Sequence, residues 1–174
     1  MKYLIAAIFI VAFAACNSSH RLQKINYVIV PDEKTKVLKG VINRSVIEQD
    51  TAFAWFKENM KWGQADISAI EAFKKHSKDF TLLVFGGTWC EDTQNLLPVL
   101  FRLADKSGYA AKNISLIAVD RKKQDLHDFV KQYHIVNVPV FIVLHKRKEI
   151  GRITEYGKYN AIDKELGEIV NTIK

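Results

Sequence analysis

From residue 80 onward, short apolar runs of strand length alternate with stripes of apolar residues at helical spacing, which restricts the chain to a sheet covered by helices. Phe80 to Phe85 is such a run, closed by Gly86-Gly87. Leu96, Leu97, Leu100 and Leu103 follow at helical spacing, and Gly108 closes that helix. Ile114 to Val119 reads as a second buried strand ending at Asp120, and Leu126, Phe129, Val130 and Tyr133 as a second helical stripe. Val140 to Leu144 and Ile150 to Tyr156 read as two further strands around a charged turn, and Ile162, Leu166, Ile169 and Val170 as a closing amphipathic helix. The order is strand, helix, strand, helix, strand, strand, helix. Apolar strands separated by helices imply parallel neighbours covered on both faces, and the short final turn adds an antiparallel edge. The fold class is α/β, with a mixed central sheet flanked by helices.

Ahead of this block the pattern is weaker. Ile25 to Val30 reads as a short strand ended by Pro31-Asp32, and residues 34 to 47 have no definite pattern. Asp50 is placed to cap a helix through Phe53, Phe56 and Met60, and Asp66 another through Ile67, Ile70 and Phe73. The expected organisation is a leader over 1–16, a tether and N-terminal extension over 17–63, and a main domain over 64–174.

The leader is read from Met1-Lys2, the apolar run Tyr3 to Ala15, and the small residues Ala14-Ala15 before Cys16. At about 13 residues the run falls short of the roughly 20 that span a bilayer. A cysteine after two small residues resembles the lipobox of bacterial lipoproteins, although Phe13 stands where leucine is usual. That resemblance implies lipidation of Cys16, residence in the cell envelope and a membrane partner through the lipid. An ordinary secretory signal cut after Ala15 also exports the chain. The sequence holds 2 cysteines, Cys16 and Cys90, so acylation of Cys16 leaves Cys90 without an intramolecular partner.

The formal charge of +7 suits anionic lipid surfaces, but its densest run, His145-Lys146-Arg147-Lys148, reads as a solvated hairpin turn and not as a nucleic-acid site. His20, His76, His127, His134 and His145 show no metal-ligand spacing with Cys90, and no cofactor is implied.

The chemistry concentrates in Val84-Phe85-Gly86-Gly87-Thr88-Trp89-Cys90-Glu91-Asp92-Thr93, which runs from a strand through a glycine turn into a helix. A thiol at the first turn of a helix meets unpaired N–H groups and the positive end of the dipole, which stabilise the nucleophilic thiolate. Glu91 and Asp92 oppose that effect. Asp120-Arg121 ends a strand at its C-terminal edge and reads as a salt-bridged loop anchor.

Strand-Trp89-Cys90-helix, with Val138-Pro139 opening a later strand, resembles the thioredoxin superfamily over about residues 66 to 174. The wider run through Asn95, Pro98, Asp120-Arg121 and Pro139 is similar to thioredoxin-like lipoproteins of the Bacteroidetes. The resemblance implies that Cys90 is the reactive thiol and that Pro139 forms a cis-proline loop facing it. Trp89, Val138 and Pro139 would then line a substrate groove. Two positions depart from the family. Thr93 replaces the second cysteine of the Cys-x-x-Cys motif, and Val84 stands where thioredoxins carry a buried Asp. Two-thiol reduction is therefore not expected. Single-thiol exchange with protein or small-thiol disulfides is, with the Thr93 hydroxyl as a hydrogen-bond donor to Cys90. Two alternatives stay open: a redox-inactive binding module on the same scaffold, and a structural lipoprotein whose N-terminal extension docks a partner.

Overall fold

A computed structural model describes residues 24–174. The leader and Cys16 lie outside the described residues. Six strands form one sheet in the order β1-β2-β4-β3-β5-β6. They are β1 (Asn26–Val30), β2 (Val37–Ile42), β3 (Phe80–Gly86), β4 (Ile114–Ala118), β5 (Val140–His145) and β6 (Lys148–Thr154). The helices are α1 (Arg44–Glu48), α2 (Ala54–Met60), α3 (Ile67–Lys75), α4 (Glu91–Ser107), α5 (Phe129–Gln132) and α6 (Ile162–Val170).

Adjacent residues along β3 face opposite ways, and both ways lead to apolar surroundings. Leu82 and Val84 join the larger core with residues of α2, α3, α4 and α6. Leu83 and Phe85 join a second cluster with Ile117, Ile135, Val138 and Ile142. A strand buried on both faces has no polar alternation, which is why this run is continuous in the sequence.

Strand β3 lies parallel to β4, as expected. Strand β5, by contrast, runs antiparallel to β3, with Val140 opposite Phe85. The cause lies in the preceding segment. The stripe from Leu126 to Tyr133 yields only the 4-residue α5, because the Asp125 carboxylate takes the amides of His127 (2.5 Å) and Val130 (2.7 Å) and Asp128 turns to φ 59°. A helix of about 6 Å cannot carry the chain back along a strand of some 17 Å. The chain therefore re-enters the sheet at the edge it left. The charged turn is also shorter than expected: Lys146 and Arg147, both at positive φ, join β5 to β6, which begins at Lys148.

The N-terminal segment is part of the same sheet. β2, within the stretch that had no definite pattern, pairs antiparallel with β4 over Gly40–Ile42 and carries β1 at its outer edge. Asp50 caps a 3-10 turn leading into α2, and Asp66 caps α3 through the Ala69 amide.

Helix α4 contains Pro98, which has no N–H to offer the carbonyl of Gln94. The side-chain amide of Asn59 on α2 donates to that carbonyl instead, at 3.0 Å. In return, Arg102 of α4 donates to the terminal carbonyls of α2 at Asn59 and Met60. Asn59→Ala leaves the Gln94 carbonyl unpaired, and we expect a loss of about 1–2 kcal/mol, read as a lowered urea midpoint with unchanged slope.

Candidate active site

The site lies where the C-terminal ends of β3 and β4 meet the start of β5. Cys90 is the N-cap of α4, in extended geometry at φ −91° and ψ 122°. Its amide donates to the Gly87 carbonyl (2.9 Å) and its carbonyl accepts from Gln94 (3.0 Å), so the thiol stands at the helix entrance. Its side chain is half-buried. The sulfur is 3.5 Å from the Val138 carbonyl, to which the thiol donates, and the Val138–Pro139 peptide is cis. Trp89 and Cys90 come together with Val138 and Pro139, Cys90 and Val138 being 48 positions apart, only because β3 and β5 are neighbours.

Thr93 faces inward and is 3% exposed. Its hydroxyl accepts from the Gly87 amide at 3.2 Å, which leaves its proton to donate. Behind it lies a cavity of about 20 Å³ lined by Val84, Gly86, Thr88, Leu97 and Leu116 among others. Val84, 1% exposed, packs into the apolar core. Any Cβ at Gly86 would stand 2.8 Å from the Thr93 methyl, and one at Gly87 2.6 Å from the Trp89 ring nitrogen. The paired glycines let the strand end pass directly over these two side chains.

The indole of Trp89 is held on several sides. Its ring N–H donates to the Val119 carbonyl at 3.0 Å, and the Arg121 guanidinium lies 5.3 Å from its ring centre. Arg121 is paired with Asp32 at 2.5 Å, and Asp32 also accepts from the amides of Lys34 and Thr35. Tyr133, partly buried, packs on Phe85 with ring centres 5.8 Å apart and lies against the second core cluster.

A family model described as Thioredoxin matches residues 39–170, which takes in Trp89, Cys90, Thr93, Val138 and Pro139 and begins within β2. The chain belongs to the thioredoxin family. Among solved structures it is similar to a protein of unknown function from Pseudomonas aeruginosa, at 17% identity and a TM-score of 0.55, covering 76% of this chain and 93% of that one. It is likewise similar to an HIV epitope scaffold, at 17% identity and a TM-score of 0.54, again covering 76% and 93%. At that identity the likeness shows the fold alone. Among curated proteins it is similar to thioredoxin H2 of Arabidopsis thaliana, 23% identical over 95 residues, which is 55% of this chain and 66% of that one. The thioredoxin fold with its mixed sheet and flanking helices is thereby established, and thiol–disulfide chemistry is the general expectation it brings.

Thr88 and Gln94 of this thioredoxin-family site carried no sequence signal, whereas Asp120 and Arg121 are both ion-paired, as their place at the strand end implied. Thr88 is buried, and its hydroxyl accepts from the Leu38 amide (3.2 Å) and donates to the Lys36 carbonyl (2.9 Å), which pins the start of β2 to the site loop. Gln94 donates to the Thr88 carbonyl at 2.9 Å. Asp120 pairs with Lys39 of β2 at 2.8 Å. Burial by itself raises the Asp120 carboxyl, but Lys39 and the amides of Gln124 and Lys122 outweigh it and hold it below its ordinary value. Arg121, followed by the Lys34 amide, holds the Asp32 carboxyl well below the usual carboxylate range. Both carboxyls bind protons less readily folded than unfolded. Their stabilising contribution is therefore present above the unfolded value of about 3.9 and lost as pH falls below it. Thermal melts should show a midpoint that falls steadily below about pH 4, as protons bind the unfolded chain first.

Proposed function

We propose that this protein is an exported, lipid-anchored member of the thioredoxin family that exchanges disulfides through Cys90 alone. The observation that carries the reading is the position of Cys90 at the N-cap of α4, its sulfur 3.5 Å from the Val138 carbonyl, with Thr93 where a second cysteine would stand. The Cys90 thiolate attacks one sulfur of a substrate disulfide. A Cys90–substrate disulfide forms, the substrate's own S–S bond breaks, and its other sulfur leaves as a thiolate. With no cysteine at 93, release requires attack on the mixed disulfide by an external thiol or by the substrate's own thiol. That outcome is reductase-type or isomerase-type exchange. The likeness of the Trp-Cys-x-x-Thr run to lipoproteins of the Bacteroidetes, together with Cys16 after Ala14-Ala15, supports anchoring in the cell envelope.

A binding module is the competing reading, favoured by the half-burial of Cys90 and its thiol bond to Val138. Iodoacetamide labelling separates the two. The exchange reading expects native Cys90 to react at least as fast as the same residue in urea. Labelling slower than in urea by about tenfold or more marks a packed, inert thiol and favours the binding module.

A further inference from the structure

We infer that Arg121 is a positioning residue for exchange at Cys90, holding the Trp89 indole in place, and that Asp32 of the N-terminal hairpin orients Arg121 for it. The inference rests on the exchange reading above. Its basis is a continuous chain of contacts from the β1–β2 turn to the residue beside the thiol. The Asp32 carboxylate is fixed by the Lys34 and Thr35 amides at 3.0 and 3.1 Å. It grips the Arg121 guanidinium in a fork, through Nε at 2.5 Å and a terminal nitrogen at 3.2 Å. The guanidinium so oriented lies 5.3 Å from the centre of the Trp89 ring.

The indole is otherwise held by the Val119 carbonyl, by the close approach of Gly87 and by packing against the second apolar cluster. The indole remains half-buried, and the Arg121 guanidinium lies over its ring. A planar cation bound through both nitrogens to one carboxylate covers that ring without swinging away. Arg121 itself is 44% exposed and makes a surface ion pair, which contributes little to folding in general. Its stacking on a half-buried tryptophan adjacent to the reactive thiol gives the pair a use that stability alone does not supply. The structure thereby ties the first hairpin to the chemistry through a side chain that meets Trp89 and Asp32.

The test uses the full chain in detergent and a peptide with a single disulfide as probe, with adducts assigned to Cys90 by mass spectrometry. Arg121→Ala should slow formation of the Cys90–peptide disulfide about threefold to tenfold, with iodoacetamide labelling changed less than about twofold. The double exchange Asp32→Arg with Arg121→Asp restores an ion pair but sets a carboxylate against the ring. It should leave exchange slow. Recovery of exchange by the double variant would show that the pair only ties the hairpin down, and would overturn the inference. Wild-type exchange by Arg121→Ala would overturn it equally. Failure of the wild-type protein to form any adduct is a separate result: it removes the exchange reading, and the positioning role falls with it.

Discussion

Thr93→Cys should convert a protein that holds its mixed disulfide into one that releases it unaided. Residues 90 and 93 are an i, i+3 pair at the first turn of α4, so their side chains share one face of the helix start. The Thr93 side chain is buried against Gly86 with a small cavity behind it, and a thiol replaces the hydroxyl and methyl without new volume. A thiol here attacks the Cys90 sulfur of the adduct, forms an intramolecular disulfide and frees the substrate as a thiol. The measurable result is loss of the accumulated Cys90 adduct in the variant, and catalytic reduction of a protein disulfide when dithiothreitol regenerates it. In the wild-type protein, turnover should instead track the concentration of added monothiol. Persistence of the adduct in Thr93→Cys would mean that the two positions do not meet as the helix start requires.

Phe73→Ala should cost about 3–5 kcal/mol, a large part of the roughly 5–15 kcal/mol that holds a domain folded. Phe73 is fully buried on α3 and meets Phe80 and Tyr109 edge-on, at 5.0 and 5.3 Å between ring centres. Phe80 and Tyr109 stack on each other at 4.6 Å, and the Tyr109 hydroxyl donates to the Phe80 carbonyl at 2.8 Å. Burial pushes the Tyr109 phenol above its ordinary value, so it stays neutral and keeps that bond through the physiological range. The cluster ties α3 and Tyr109, two residues past α4, to the first residue of β3, and the same strand ends at the site. Removing the central ring opens a cavity, because a close-packed interior relaxes only in part around a lost side chain. A fall of about 10 °C or more in melting midpoint is expected. A loss below about 1 kcal/mol would show that the core relaxes around this position far more than its packing implies.

The parts of this fold that were legible in the sequence are those decided within a few residues. The strand through Phe80–Phe85, the glycine stop at Gly108 and the caps at Asp50 and Asp66 each depend on neighbours in the chain, and each stands where the pattern put it. Trp89-Cys90 and Val138-Pro139 were visible as short motifs, although their approach depends on the pairing of β3 with β5. What was hidden depends on distant partners. In β2, Lys39-Gly40 interrupts the apolar pattern, and the strand exists because β4 and Thr88 supply its hydrogen bonds. Asp32 and Arg121 lie 89 positions apart, and nothing local to either marks the other. The stripe at Leu126–Tyr133 misled for a local reason of another kind: Asp125 offers the backbone a competing acceptor, which a count of apolar residues does not register.

The central claim is that Cys90 performs exchange without a resolving cysteine. The most direct measurement is mass spectrometry of the intact protein after incubation with a peptide joined by its single cysteine to a separate small thiol, so that the departing thiol is not tethered to the adduct, before and after adding glutathione. The account predicts one peptide joined at Cys90, stable on standing, removed by glutathione, and absent from Cys90→Ser. No adduct on native Cys90, with the same residue reacting readily once the chain is unfolded in urea, would contradict it.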